Sequence, residues 1–302
     1  MKTSRGEVYP KNGALTPERV DALRREYDVI PVVRLLGADT ITPVAAFAAL
    51  SSLAPEAFLL ESVERGESMG RYSFIGVAPR KTLSFGPDTK SPVATLREEL
   101  VPLRVWNEEA LPPFFGGAVG FFGYGIAGWS ERIPDTRTDD LGLPDATLLF
   151  FDQVLAFDQV RQQLYVVANI FSDAPEPGAV LLERANARLD AIVERLHDAR
   201  VDLFVSGDVG EPVAVRSTHA AGEFQEAVVR AKEAIAAGEV FQIVLSQRWE
   251  CDLPQSEDLT LYRALRGINP SPYMFLFRTG ELSLVGSSPE MLVRVDGRLA
   301  ET

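Results

Sequence analysis

The stretch ATLLFFDQVLAFDQVRQQLYVVANI, Ala146 to Ile170, decides the fold class. Its two apolar runs, 146–158 and 163–170, are rich in aromatic and β-branched residues and are parted by a polar turn. Such runs are strands. Four residues are too few for a crossover helix, so the strands run antiparallel. Working outward, the same pattern recurs in VIPVVRLL, AFLLESV, GRYSFIGVA, KTLSF and GGAVGFFGY. Helices are marked by their starts. Thr16-Pro17, Thr42-Pro43 and Ser91-Pro92 each place an N-cap residue before a proline at the first helical position. The expected class is therefore α/β of the α+β type, with packed, largely antiparallel sheets flanked by helices.

Beyond residue 170, FSDAPEPG reads as a linker, followed by a helix over about 179–200 and a second polar stretch, SGDVGEP. Then Phe224, Ala227, Val228, Ala231 and Ile235 form one apolar helical face that stops at Gly238. VFQIVLSQRW reads as a strand, and Leu261, Leu265 and Ile268 as the inner face of a further helix. YMFLFRTG, ELSLVGSS and MLVRVDGRLAET read as strands, the last turning at Asp296-Gly297. The division expected is 1–172 as a first region, 173–215 as linker and helix, and 216–302 as the start of a second domain.

Composition excludes several classes. The 302 residues carry 30 basic and 43 acidic side chains, net charge −13, without the basic stripe of a nucleic-acid binder. No apolar run approaches membrane-spanning length, and Cys251 is the single cysteine. A cytoplasmic protein with no nucleic-acid or membrane partner is expected. Gly123, Gly125 and Gly128 match G-x-G-x-x-G, but WSERIPD follows instead of a helix, so close-packed glycines at a strand end are favoured over a nucleotide site. His197 and His219 lie in polar settings and offer no Cys/His centre.

Two motifs read in either of two ways. In LLESVERGESMG, Glu61 and Ser62 arrive at a strand end, forming either a salt-bridged hairpin mouth or a small pocket for an ammonium group. In GSSPEMLVRV, Glu290 is either a turn cap or a carboxyl pressed against apolar surroundings, suited to general-acid work. NPSPYMFLF, 269–277, is a third unusual stretch, a rigid corner dense in large apolar groups.

Taken in order, LLES, GGAVGFFGY, GEVFQIVLSQR, NPSPYMF and GSSPEML resemble the anthranilate synthase large-subunit family, among the chorismate-utilising enzymes. The resemblance spans from about residue 30 to the end and implies a layered α/β/β/α fold. It implies conversion of chorismate and ammonia to anthranilate and pyruvate, with ammonia from a glutamine amidotransferase partner, component II. It places the acid that protonates the departing hydroxyl on Glu290. Gln242 falls where water-adding relatives carry a lysine base, and a neutral side chain suits ammonia. It makes Glu61, Ser62, Asn269, Pro272, Tyr273, Met274 and Phe275 a feedback site for L-tryptophan. There Pro270 and Pro272 would pre-set the corner, and Tyr273, Met274 and Phe275 would wall in the indole. Gly125 departs from the pattern, standing where the family usually has an acidic residue. The resemblance also implies Mg²⁺, with ligands expected beyond Thr302. The second half is then incomplete, and the 302-residue chain alone is expected to make no anthranilate. The related reading is the aminodeoxychorismate synthase component of folate synthesis; a third is a non-catalytic amino-acid-binding fragment.

Overall fold

The computed structural model describes residues 8–9, 15–62, 70–107, 111–134, 138–197, 199, 213–253, 257–280 and 282–302. Residues 63–69 and the polar stretch 206–212 lie outside them, together with residues 1–7 and 10–14.

The first elements are β1 (Val8–Tyr9), α1 (Pro17–Leu23), β2 (Val29–Gly37), α2 (Pro43–Leu50), β3 (Glu56–Glu61), β4 (Tyr72–Val77), β5 (Lys81–Phe85) and α3 (Pro92–Glu99). Two of the three expected caps form. Thr16 Oγ1 accepts from Arg19 N at 3.3 Å, and Thr42 Oγ1 from Ala45 N at 3.2 Å. Ser91 does not cap α3 with its side chain. It stands at φ 51°, ψ 52°, whereas a capping hydroxyl reaches the first amides from an extended backbone.

Next come β6 (Gly117–Phe122), β7 (Ala146–Phe151), β8 (Gln153–Asp158), β9 (Gln163–Phe171) and α4 (Gly178–His197). Then follow β10 (Arg216–Ser217), α5 (Glu223–Ala236), β11 (Trp249–Glu250), α6 (Asp258–Ile268), β12 (Tyr273–Thr279), β13 (Ser283–Ser288), β14 (Arg294–Asp296) and β15 (Leu299–Glu301).

The main sheet has eight antiparallel strands in the order β1-β2-β9-β8-β4-β3-β12-β13. Pro31 lies inside β2 without breaking it. Val29 turns its N–H and C=O toward residues 104 and 106. Alternation turns the proline nitrogen, two residues on, to that same side and away from β9. A smaller sheet, β5-β7-β6, stacks on the main one. The run 146–158, expected as one strand, serves both sheets and divides at Asp152. Asp152 is buried; its carboxylate accepts from Arg188 Nη1 of α4 at 2.7 Å, and its carbonyl from Asn169 N at 2.8 Å. A charge held by its own partner is tolerated there, and the chain turns at it from one sheet to the other.

Helices α1, α2, α4 and α6 cover one face of the main sheet around Phe47, Leu59, Ile75, Leu155, Val166, Leu189 and Tyr262. The opposite face meets the small sheet through Phe58, Leu149, Phe151, Val154 and Phe277. This is the α/β architecture of antiparallel sheets and flanking helices that the strand pattern predicts. Gly120 permits the close approach of β6 to β7: a Cβ there would stand 1.9 Å from the Thr147 carbonyl oxygen. Gly123 is also tight against Asp145, but a Cβ on Gly128 would meet open space, so close packing explains only part of the glycine string. Residues 124–129 form a short 3₁₀ helix.

Two compact units result, residues 1–203 with 258–302, and residues 204–257. Their limits differ from the sequence division at 172 and 216, because α4 packs on β9 and β12 pairs with β3. In the smaller unit, β10 pairs with β11, and α5 buries none of its side chains. The strand expected over 240–249 is reduced to Trp249–Glu250. A strand persists only within a ladder and against a core; residues 240–247 have neither among the described residues.

The inner face of α6 also differs from expectation. Leu265 packs against the core, but Leu261 and Ile268 are 46% and 83% exposed, and Asp258 and Tyr262 are buried instead. The polar partners set this rotation. Arg278 of β12 and Ser283 of β13 both donate to Asp258, and Tyr262 donates to Glu61. Near the C-terminus, Gly297 (φ 59°) and Arg298 make the two-residue loop joining β14 to β15. Among the described residues no helix is long and apolar enough to cross a membrane.

Candidate functional site

LLES and NPSPYMF meet as neighbouring strands of the main sheet. In the β3–β12 register Met274 faces Glu61 and Phe275 faces Leu60. Alternation fixes the sides. Met274 and Leu276 lie with Leu59 in the core beneath α6. Phe275 points with Phe277 toward the small sheet, and its ring covers Gly286, where a Cβ would stand 2.1 Å from it. Tyr273, 38% exposed, shares the Phe275 side at the strand's start. The three residues expected to wall one ring therefore divide: Met274 on the Glu61 face, Tyr273 and Phe275 on the other.

Glu61 is 5% exposed at the end of β3. Tyr262 Oη donates to its Oε2 at 2.5 Å, from a residue 201 positions away. Arg266 Nε lies 3.3 Å from the same oxygen. Burial, then the charge and hydrogen bond of Glu61, push the Tyr262 hydroxyl far above the ordinary tyrosine range, so it remains a donor. Ser62 follows, half-buried. Glu61 is thus a buried carboxylate at the strand end, ion-paired with α6.

The corner itself is held by serines. Asn269 and Pro270 are exposed, whereas Ser271 and Pro272 are buried. Ser287 Oγ donates to the Asn269 carbonyl at 2.7 Å, and Ser271 Oγ to the Ser288 carbonyl at 2.8 Å. Ser288 Oγ in turn donates to the Glu290 carbonyl at 2.9 Å. The turn is capped by Ser288 rather than by the Glu290 side chain. Residue Glu290 is exposed in the loop after β13, so its carboxyl is not pressed into an apolar pocket by the described residues. Gln242 is exposed in the smaller unit, outside regular structure.

Sequence reading missed Tyr262 and Arg266. Their i, i+4 spacing puts both on one helical face, but the leucines of α6 drew the reading to a neighbouring face. Among the described residues no group of three or more His, Cys, Asp or Glu could hold a metal ion.

The model of the family described as chorismate binding enzyme matches residues 55–302. The chain belongs to this family. The chain is similar to anthranilate synthase component 1 of Acetivibrio thermocellus, at 34% identity over 95% of the chain and 61% of that protein. It is 40% identical to the component 1 of Thermus thermophilus, over 88% of the chain and 57% of the relative. Among solved structures it resembles anthranilate synthase component I of Streptococcus pneumoniae TIGR4, with TM-score 0.62 and 23% identity over 87% of the chain and 59% of that one. That likeness is one of fold. The chain spans less than two thirds of the length of these relatives.

Proposed function

We propose that this chain is the synthase component of anthranilate formation. Ammonia adds to the chorismate ring, the ring hydroxyl leaves as water, and pyruvate is eliminated. The observation that carries the reading is the 34–40% identity to proteins named anthranilate synthase component 1 over most of the chain. The numbered component fits a partner that supplies ammonia, a glutamine amidotransferase. In this reading Glu290 protonates the departing hydroxyl and Gln242 faces the incoming ammonia. Mg²⁺ is proposed for the whole enzyme on the family resemblance alone. A cytoplasmic location is proposed on the same footing, as a place in tryptophan biosynthesis. The test is anthranilate fluorescence from chorismate, ammonia and Mg²⁺, with the chain extended to the length of its relatives. Formation of aminodeoxychorismate in place of anthranilate would overturn the assignment.

The same reading makes the β3–β12 corner a feedback site for L-tryptophan. Glu61 and Ser62 would hold the amino-acid end, and Asn269, Pro272, Tyr273, Met274 and Phe275 would shape the remainder. Support comes from the pairing of these two segments and from the buried carboxylate between them. Burying about 200 Å² of aromatic surface at about 25 cal/mol/Å² supplies roughly 5 kcal/mol. Micromolar binding requires about 8 kcal/mol, so polar contacts must add the rest. Ser62→Arg is expected to weaken tryptophan binding roughly ten- to a hundredfold, the equivalent of the about 1–3 kcal/mol that overfilling a packed site costs. Calorimetric titration, with a thermal melt as the control for folding, reads this directly. Unchanged affinity in a folded variant takes Ser62 out of the site.

A further inference from the structure

The two donors on Glu61 are unequal. Tyr262 is wholly buried in the core beneath α6 and donates at 2.5 Å. Arg266 Nε lies at 3.3 Å, and the Arg266 side chain is 44% exposed. Both contacts fall on Oε2. A buried carboxylate requires a compensating charge or hydrogen bonds. A cation that is half in water can leave at little cost, because its charge is solvated as it swings out.

We propose that Arg266 is a place-holder for the ammonium group of the amino-acid ligand. It neutralises Glu61 when the corner is empty and is displaced when the ligand's ammonium reaches the carboxylate, while Tyr262 keeps that carboxylate aimed. This rests on the reading of the corner as the tryptophan site. Its distinctive consequence is a gain of affinity on losing a charged residue. Two cations at one carboxylate repel each other, and a competitor that is absent no longer has to be displaced.

The experiment is calorimetric titration of the chain, of Arg266→Met and of Arg266→Lys. Each is titrated with L-tryptophan and with indole-3-propionate, which keeps the ring and carboxylate but lacks the amine. Arg266→Met should bind tryptophan about two- to fivefold more tightly, the range for a partly exposed ion pair. Indole-3-propionate should show no such gain, and Arg266→Lys, which keeps the charge, should return tryptophan affinity toward wild type. If wild type binds tryptophan and Arg266→Met gains nothing, the place-holder is overturned while the site stands. If Arg266→Met loses affinity for both ligands, Arg266 grips the ligand carboxylate, and the proposal fails. If the wild-type chain binds no tryptophan, the site reading falls, and this inference with it.

Discussion

Asp258→Ala is expected to destabilise the chain by about 3–5 kcal/mol, the cost of stranding one partner of a buried pair. Asp258 opens α6 and is 6% exposed. Its two oxygens accept from Arg278 Nε at 2.7 Å and Nη2 at 2.6 Å, in the forked geometry of the strongest ion pairs. Ser283 Oγ adds a third bond at 2.7 Å. One carboxylate therefore ties α6 to β12 and β13. Without it the Arg278 guanidinium is left over the Phe47 ring, 5.1 Å from its centroid, which offsets only part of the loss. Burial raises the Asp258 pKa, but the Arg278 and Ser283 bonds outweigh it and leave the carboxyl below its ordinary value. A lowered folded-state pKa contributes stability that is fully present above the unfolded value, about 3.9. That contribution fades as pH falls through the lower folded value. Urea unfolding of wild type and variant at pH 7 reads the difference; a loss under about 1 kcal/mol would show the pair to be dispensable. The gap between the two proteins should also narrow in acid.

Glu290→Gln is expected to lower kcat for anthranilate formation by about 10²–10⁴, the worth of a positioned general acid, with little change in chorismate KM. The serine ladder gives the loop its place: Ser271 on Ser288, then Ser288 on the Glu290 carbonyl. Its side chain faces outward, where a substrate can reach it. Steady-state kinetics in the length-extended chain decide the matter. Near-normal turnover would leave Glu290 an ordinary loop residue.

The strands and two of the three helix starts were legible because each rests on local chemistry: β-branched runs, Thr-Pro caps and the Asp-Gly turn. What was not legible depends on partners distant in sequence. The division at Asp152 needs Arg188 of α4, which no local pattern announces. The orientation of α6 is set by four polar bonds to β3, β12 and β13, whereas its leucine spacing points to another face. The motif NPSPYMF was legible as a rigid corner. Its strand alternation sends Met274 and Phe275 to opposite sides, which counting aromatic residues does not reveal. The apolar run at 240–245 lies in no strand ladder of the described residues, and periodicity carries no information about that.

The pairing of β3 with β12 also has a consequence for vectorial synthesis. Strand β3 is complete at residue 61, but the segments that seat it arrive about 200 residues later. At about 5–20 residues per second, its outer edge stands open on the nascent chain for about 10–40 s. That edge is the apolar run Ala57 to Leu60 with its backbone groups unpaired, a surface prone to pair with neighbouring chains. Strands β4, β8 and β9 emerge in time to form one flank, while the other awaits the β12–β13 hairpin, which closes the sheet as a late-arriving unit. Until Tyr273 to Ser288 leave the ribosome, this edge of the partly made protein stays open to pairing with other chains.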